Sequence, residues 1–462
     1  MIPEFLAAVS TVVNSNSPTG TETTTTTGPS TGTGPSTGTG SSTGTGSSTG
    51  TGSSTGTTTV PTVETPAFNP SPGHYTSMQS ITISSTTSGA QIYYTTNGTT
   101  PTTSSTLYSS GLNIWKYAGK TIKAIAVKAG LTDSAVVSGR FSYSTLKTGQ
   151  VTLYDSGDDG DFEIGVIRSY SGPTQHSTFT SDYTTTDNST GLIWKTCSEG
   201  KSGPACGTGS CNSGNLSSVT SWCDALNSAN SGSGYAGITT WRLPSIQELD
   251  TLIDASISST PPTLNQGAFP NSCSNDYWSS TLYAPIATWA WNGLFGIGDI
   301  SYNGTGFSKF ARCVSGQQRD NAILLADNGD GTVTDKTTGL VWQRCNSGQT
   351  NDATCSGAAS TVNWSSSIIY CNGLGLAGRT WRLPNRNELM SIVDLTLAAS
   401  PAINTTYFPN TGAFDYWTST TSGPFSPGDA WFVRVGGTDP IGQVTHVNKG
   451  APKFTRCVSG PP

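Results

Sequence analysis

The sequence predicts a multidomain protein: a disordered Thr/Ser/Gly stalk, then an all-β sandwich, then two α+β modules. Three observations carry that reading. Residues 14–60 are almost entirely Thr, Gly, Ser and Pro. Short alternating strands fill residues 61–145. From about residue 148 onward each recognisable stretch occurs twice, most plainly WRLPSIQELDTLID (241–254) and WRLPNRNELMSIVD (381–394). The expected divisions are 1–60 for the stalk, 61–145 for the sandwich, and 148–316 and 321–460 for the modules.

The stalk cannot bury enough apolar surface to offset its ordering entropy. At about 5–6 Å × √n, residues 14–60 would span roughly 40 Å. O-glycosylation of the hydroxyls would stiffen it; unmodified, it is a plain flexible linker. It has no Gly-X-Y period, so it is not a collagen stalk. The first residues, MIPEFLAAVSTVV, hold a short apolar run but carry Glu4 in place of a basic region. A signal peptide is therefore not evident, and no lipobox cysteine is present.

In residues 61–145 the runs Ile81-Thr82-Ile83, Gln91–Tyr94 and Thr121–Val127 alternate as strands do, and Asn97-Gly98 and Ala129-Gly130 mark turns. The strings AQIYYTTNGTTPT and TIKAIAVKAGLTDS resemble the chitobiase/β-hexosaminidase C-terminal domain family. That resemblance implies an immunoglobulin-like accessory domain, usually a spacer beside other modules. No hexosaminidase catalytic domain accompanies it. Tyr93, Tyr94, Trp115 and Tyr117 read as core and edge packing before a sugar-stacking strip.

The two modules align without any outside sequence. TTTDNSTGLIWKTC (184–197) matches TVTDKTTGLVWQRC (332–345), NDYWSST (275–281) matches FDYWTST (414–420), and KFARCVSG (309–316) matches KFTRCVSG (453–460). Asn385 with Glu388, and Ser245 with Glu248, have capping-box spacing behind a proline. Leu389, Ile392 and Val393 then fall at i, i+3 and i+4, one apolar helix face. A first helix is expected around Trp364, Ile368 and Cys371, and around Val219, Trp222 and Leu226. Arg242 and Arg382 read as internal ion-pair partners, with a sugar or carboxylate contact as the other reading.

Charged residues are only 11% and the net charge is −6, which argues against a general nucleic-acid binder. No apolar run approaches the 18 or more residues of a membrane span. The 10 Cys all lie between residues 197 and 457, are even in each module and form no CxxC. Disulfides in an oxidising compartment account for them better than zinc does.

TDxxTGLxW, WRLPxxxEL, DYWxST and RCV together resemble the C-terminal domain family of bacterial collagen-like adhesins (the Lcl C-terminal domain), over nearly all of both modules. The resemblance implies a C-type-lectin-like fold on a bacterial extracellular protein, and sulfated glycans as ligands of at least one adhesin. It also implies a long-range bridge from the first helix to the last strand, pairing Cys371 with Cys457 and Cys223 with Cys313. Cys345 and Cys355 then remain as a local pair. Cys197, Cys206, Cys211 and Cys273 allow three connectivities, of which Cys197 with Cys206 or with Cys211 matches the second module.

Several constellations invite chemistry. ADNGDGTVTD (326–335) fails the calcium-loop register, because Gly329 and Gly331 stand where ligands belong, and reads as a hairpin turn. DSGDDGDFE has more acid, Asp155, Asp158, Asp159 and Asp161, and calcium is the lesser of the two readings there. The sugar-binding tripeptides of calcium-dependent lectins are missing. His74, His176 and His446 sit in separate domains, with no HExxH or GxSxG, so no catalytic residue is assigned and no enzyme is expected. For ligand binding, aromatic faces stack on sugar rings and cations pair with sulfate. The candidates are Trp289, Trp291, Trp431, Arg434, Lys449, Lys453 and Lys309; Trp278 and Trp417 read as core. The sequence thus points to a non-enzymatic surface or secreted adhesin binding glycan or matrix. The other reading is a component that self-assembles into an extracellular filament or sheath.

Overall fold

A computed structural model describes residues 60–257, 262–319, 322–423, 426–437 and 441–460. Apart from Val60, the stalk expectation falls outside the described residues. The sandwich forms where alternation predicts it. Ser80–Ser84 buries Ile81 and Ile83, and Thr121–Val127 buries Ile122, Ala124 and Ala126 on one face. A three-stranded sheet (Ala67–Asn69, Ser80–Ser84, Leu112–Asn113) and a five-stranded sheet (Gly73–Tyr75, Val137–Tyr143, Thr121–Val127, Gln91–Thr95, Thr106–Leu107) share one core. Gly98 and Gly130, at φ +79° and +83°, make the two expected turns.

The sandwich is more than a spacer. Its Asn113 Nδ2 donates to Thr190 O at 3.2 Å and its Tyr143 hydroxyl to Ser189 O at 2.7 Å, in the first module. The Tyr143 N–H donates to Thr337 O at 2.9 Å, in the second. Ser189-Thr190 and Thr337-Thr338 are the same turn of the repeat, so the sandwich grips both copies at one equivalent point. Trp115 and Tyr143 are buried in a core that runs on into both modules.

Each module contributes to two main sheets, and the first has in addition a short two-stranded one, Lys201–Ser202 with Thr208–Gly209. The smaller main sheet has four strands: Tyr170–Gln175, Tyr183–Asp187, Leu192–Lys195 and Val314–Ser315 in the first module, and Leu325–Asp327, Thr332–Asp335, Val341–Gln343 and Val458–Ser459 in the second. In both, the terminal strand returns to pair with the opening hairpin. The larger sheet is common to the two modules. In module 1 its strands are β1 (Ser213–Gly214), β2 (Asp276–Leu282), β3 (Trp289–Leu294), β4 (Asp299–Gly304) and β5 (Lys309–Phe310). In module 2 they are β6 (Thr361–Val362), β7 (Asp415–Thr421), β8 (Asp429–Arg434), β9 (Val444–Asn448) and β10 (Lys453–Phe454). The order is β1-β5-β2-β3-β4-β9-β8-β7-β10-β6, the same from either end once copies are equated. The modules therefore pair edge to edge, β4 against β9, as an isologous dimer within one chain.

The repeated segment builds the helices behind that sheet. Helices α1 (Leu216–Ala225) and α3 (Trp364–Asn372) start at Asn215 and Asn363, whose side chains cap them. Helices α2 (Ile246–Asp250) and α4 (Arg386–Met390) each carry the complete capping box. They are only five residues long, so Ile392 and Val393 lie in the turn beyond α4, still buried. Arg242 and Arg382 pair in bidentate fashion with Glu248 and Glu388, at 2.7 and 2.6 Å. The internal ion pair is the role these arginines have.

All ten cysteines are bridged: Cys197–Cys206, Cys211–Cys273, Cys223–Cys313, Cys345–Cys355 and Cys371–Cys457. The two longest bridges are those the resemblance implies, and Cys197 takes Cys206. One expected division does not follow the packing. Residues just after 148, placed in module 1, lie against module 2. The Thr421 N–H donates to Gln150 Oε1 at 2.6 Å, Thr420 Oγ1 to Asp159 Oδ2 at 2.8 Å, and Ser365 Oγ to Asp155 Oδ2 at 2.9 Å. This strap crosses the first module's share of the sequence to cover the second.

Candidate functional site

The junction between modules overturns two aromatic candidates. Trp291 and Trp431 are each 1% exposed. They occupy equivalent places on β3 and β8 and point across the junction. The Trp291 ring abuts Gly442, where an added Cβ would fall 2.9 Å from it. Trp431 abuts Gly298 and lies 5.1 Å from the Arg386 guanidinium. Arg386 in turn pairs with Asp250 of α2 at 2.7 Å. These tryptophans join the two copies and are closed to a ligand. Trp278 and Trp417 are core.

The cations are also committed. Lys309 pairs with Asp276 at 2.6 Å, and Lys453, its equivalent, with Asp415 at 2.7 Å. Both are buried, over Trp278 and Phe432 respectively. Arg434 pairs with the same Asp415 at 2.8 Å. Lys449 sits 3.9 Å from the Trp364 ring and 5.3 Å from that of the strap's Tyr154. Burial lowers its pKa, against the pull of Asp158, Asp155 and Asp429. The cluster expected to meet sulfate is thus a set of internal contacts, because each cation has a carboxylate or an aromatic face of its own.

The four aspartates do not converge on an ion. Asp158 caps the short helix Asp159–Phe162 and accepts from Gln150 Nε2 at 2.8 Å and the Tyr154 N–H at 3.1 Å. Asp159 accepts the Thr148 and Thr420 hydroxyls, and burial pushes its carboxyl up to about 7. Asp155 goes to Ser365, and Asp161 to the Gly157 N–H at 2.8 Å. Among the described residues no group of three or more His, Cys, Asp or Glu is placed to hold a metal ion. The acidic run is a fastening for the strap. The other acidic stretch is a hairpin turn, with Gly329 and Gly331 at positive φ.

Trp289 is the remaining aromatic candidate. It opens β3, partly buried, and pairs across the strands with Gly304. Its ring lies 5.2 Å from Tyr302, which stacks on Tyr283 at 4.0 Å with the planes 3° apart. Thr288, Trp289, Gly304, Thr305, Gly306 and Phe307 line a surface groove. Phe307 is 65% exposed, and a Cβ on Gly306 would meet nothing within 4 Å. An exposed aromatic ring with bare backbone beside it can receive the face of another ring.

Module 2 has Asp429, Asn448, Lys449, Gly450 and Ala451 at the corresponding positions. That surface is polar, and the strap's Tyr154 lies over its Lys449. The copies have therefore diverged at this groove. Phe307 was missed by sequence reading; its signal was Phe307 facing Ala451 in the internal alignment, two residues before the shared Lys-Phe.

The sequence model of the Lcl C-terminal domain family matches residues 183–315 and 331–459, more than half of the chain. That of the chitobiase/beta-hexosaminidase C-terminal domain matches residues 70–138. No curated protein and no solved structure matches the chain. The strap lies outside all three matched segments.

Proposed function

The chain belongs to the Lcl C-terminal domain family, and on that basis we propose that it is a non-enzymatic extracellular binding protein of the adhesin type. Its two modules are read as C-type-lectin-like, and its ligand as a glycan of the cell surface or matrix. Five disulfides with no free cysteine suit an oxidising compartment. Among the described residues no helix is long and apolar enough to cross a membrane.

The observation that carries the reading is the Trp289–Phe307 groove of module 1. Its lining bears no charge, and Lys309, Lys453 and Arg434 are held by carboxylates. The groove therefore favours the face of a neutral sugar ring over a sulfated one. The filament reading is supported less well. The modules do pair with copies of themselves, but inside the chain, and an isologous contact closes instead of propagating. The outer strands β1 and β6 are two residues each, too short to template another sheet.

The test is a glycan array probed with the oxidised full chain, at two salt concentrations and with and without calcium. We expect binding to neutral saccharides that is unchanged by salt and calcium. Trp289→Ala should weaken it roughly tenfold or more, a loss of about 1.4 kcal/mol or greater, without moving the melting temperature by more than a few degrees. Silence across the array overturns the reading. So does binding that fades with salt and survives Trp289→Ala.

A further inference from the structure

Beneath the sandwich, where α2 and α4 approach each other, lies a second concavity that the glycan reading does not use. It has two adjoining lobes of ≈ 90 and ≈ 60 Å³. At about 30 Å³ per water in the liquid, this is space for a small organic molecule and not for one water alone. Its walls mix polar and apolar groups, the apolar ones including Ile246, Ile300, Val393 and Leu395.

Three buried side-chain oxygens facing it have no hydrogen-bond partner. Gln247 and Asn387 are equivalent residues of α2 and α4, and both line the first lobe. Gln247 Oε1 and Asn387 Oδ1 are buried without a hydrogen-bond partner. The orientation of Asn387 is fixed, because its Nδ2 donates to Leu146 O at 2.8 Å and to Lys147 O. Thr337 Oγ1, in the second lobe, is a third buried oxygen without a partner. Arg319 lines both lobes. Its guanidinium lies 5.7 Å from the Trp115 ring, and no carboxylate among the described residues comes within ion-pair distance. Burial lowers its pKa, opposed by the fields of Asp335 and Tyr143. Asp250, the acid of the first lobe, is already paired with Arg386.

Buried acceptors without donors, and a guanidinium with no carboxylate against it among the described residues, each cost free energy that a matched occupant recovers. We propose that this cavity is a binding site for a small amphoteric acid, namely an aliphatic α-amino acid. Its carboxylate would take the Arg319 fork, the geometry guanidinium groups favour. Its ammonium would donate to Gln247 Oε1 and Asn387 Oδ1. Its side chain would lie against Ile300, Val393 and Leu395. The ligand would bridge α2, α4 and the sandwich, and so act on the joint between all three bodies.

The test is calorimetry and thermal shift on the oxidised full chain with three probes: L-leucine, 4-methylpentanoate, which lacks the ammonium group, and isopentylamine, which lacks the carboxylate. L-leucine should bind and raise the melting temperature, and each truncated probe should bind roughly tenfold more weakly or worse. Arg319→Gln should abolish L-leucine binding; Gln247→Leu, in a different element, should weaken it several-fold if Arg319→Gln does not fold. No heat from any probe at millimolar concentration, meaning a cavity holding water alone, overturns the proposal. Equal binding of L-leucine and isopentylamine overturns it too. Neither result bears on the Trp289 groove, which is read by saccharide binding.

Discussion

Glu388→Gln is the substitution that most directly interrogates the repeated segment. Glu388 is fully buried, and its carboxylate takes both arms of the Arg382 guanidinium and the Asn385 N–H at 2.8 Å. Arg382 is itself only 7% exposed. Glutamine keeps the shape but leaves the guanidinium buried without its counter-charge. Breaking a buried pair from one side costs about 3–5 kcal/mol. The protein contains its own control. Arg242, the equivalent arginine of module 1, is 24% exposed in its side chain. Water reaches it, so Glu248→Gln should cost less, about 1.5–3 kcal/mol. The assay is amide exchange across residues 381–394 and 241–254 in each variant, which reads local opening segment by segment. The double replacement Arg382→Met with Glu388→Leu should regain much of the loss, because it removes both buried charges. The reasoning is refuted if Glu388→Gln opens by less than about 0.5 kcal/mol. It is equally refuted if the module 1 variant proves the costlier of the two.

Two further outcomes follow from the covalent and titrating groups. Removing Cys371–Cys457, which are 86 residues apart, should cost about 4–5 kcal/mol by chain entropy, and removing Cys345–Cys355, 10 apart, only about 2.7, as compared in urea unfolding of the two double-alanine variants. Asp159 has its folded pKa raised from 3.8 to about 7, so its contribution is full below pH 3.8 and is lost as pH rises through 7. Asp159→Asn should therefore flatten the fall of stability over that interval in thermal melts at stepped pH, and a variant as pH-sensitive as the parent would contradict the assignment.

How much was legible in the sequence depended on whether a property was local. The capping boxes, the hairpin turns and the strand alternation of 80–84 and 121–127 are set by neighbours in the chain, and all appear where expected. The internal repeat then gave the equivalence of the modules. What it could not give was how equivalent surfaces meet. Trp291 and Trp431 looked like surface aromatics because the copies differ around them, yet the divergence reflects packing against each other's glycines, Gly442 and Gly298. Lys309 and Lys453 looked like ligand cations because nothing local shows that Asp276 and Asp415 lie across the sheet. The strap escaped for the same reason. Its partners Ser365, Thr420 and Thr421 are more than 200 residues away.

The two long bridges also determine how the molecule would respond to being pulled. A load applied between the sandwich and the last strand would ordinarily unravel a domain and release its whole contour. Here Cys223–Cys313 and Cys371–Cys457 withhold 90 and 86 residues of separation from extension. At 3.3–3.6 Å per residue, each withholds roughly 300 Å of slack. Under tension the paired modules would give up little of their contour, whereas the sandwich, which holds no cysteine, would pay out all of its own.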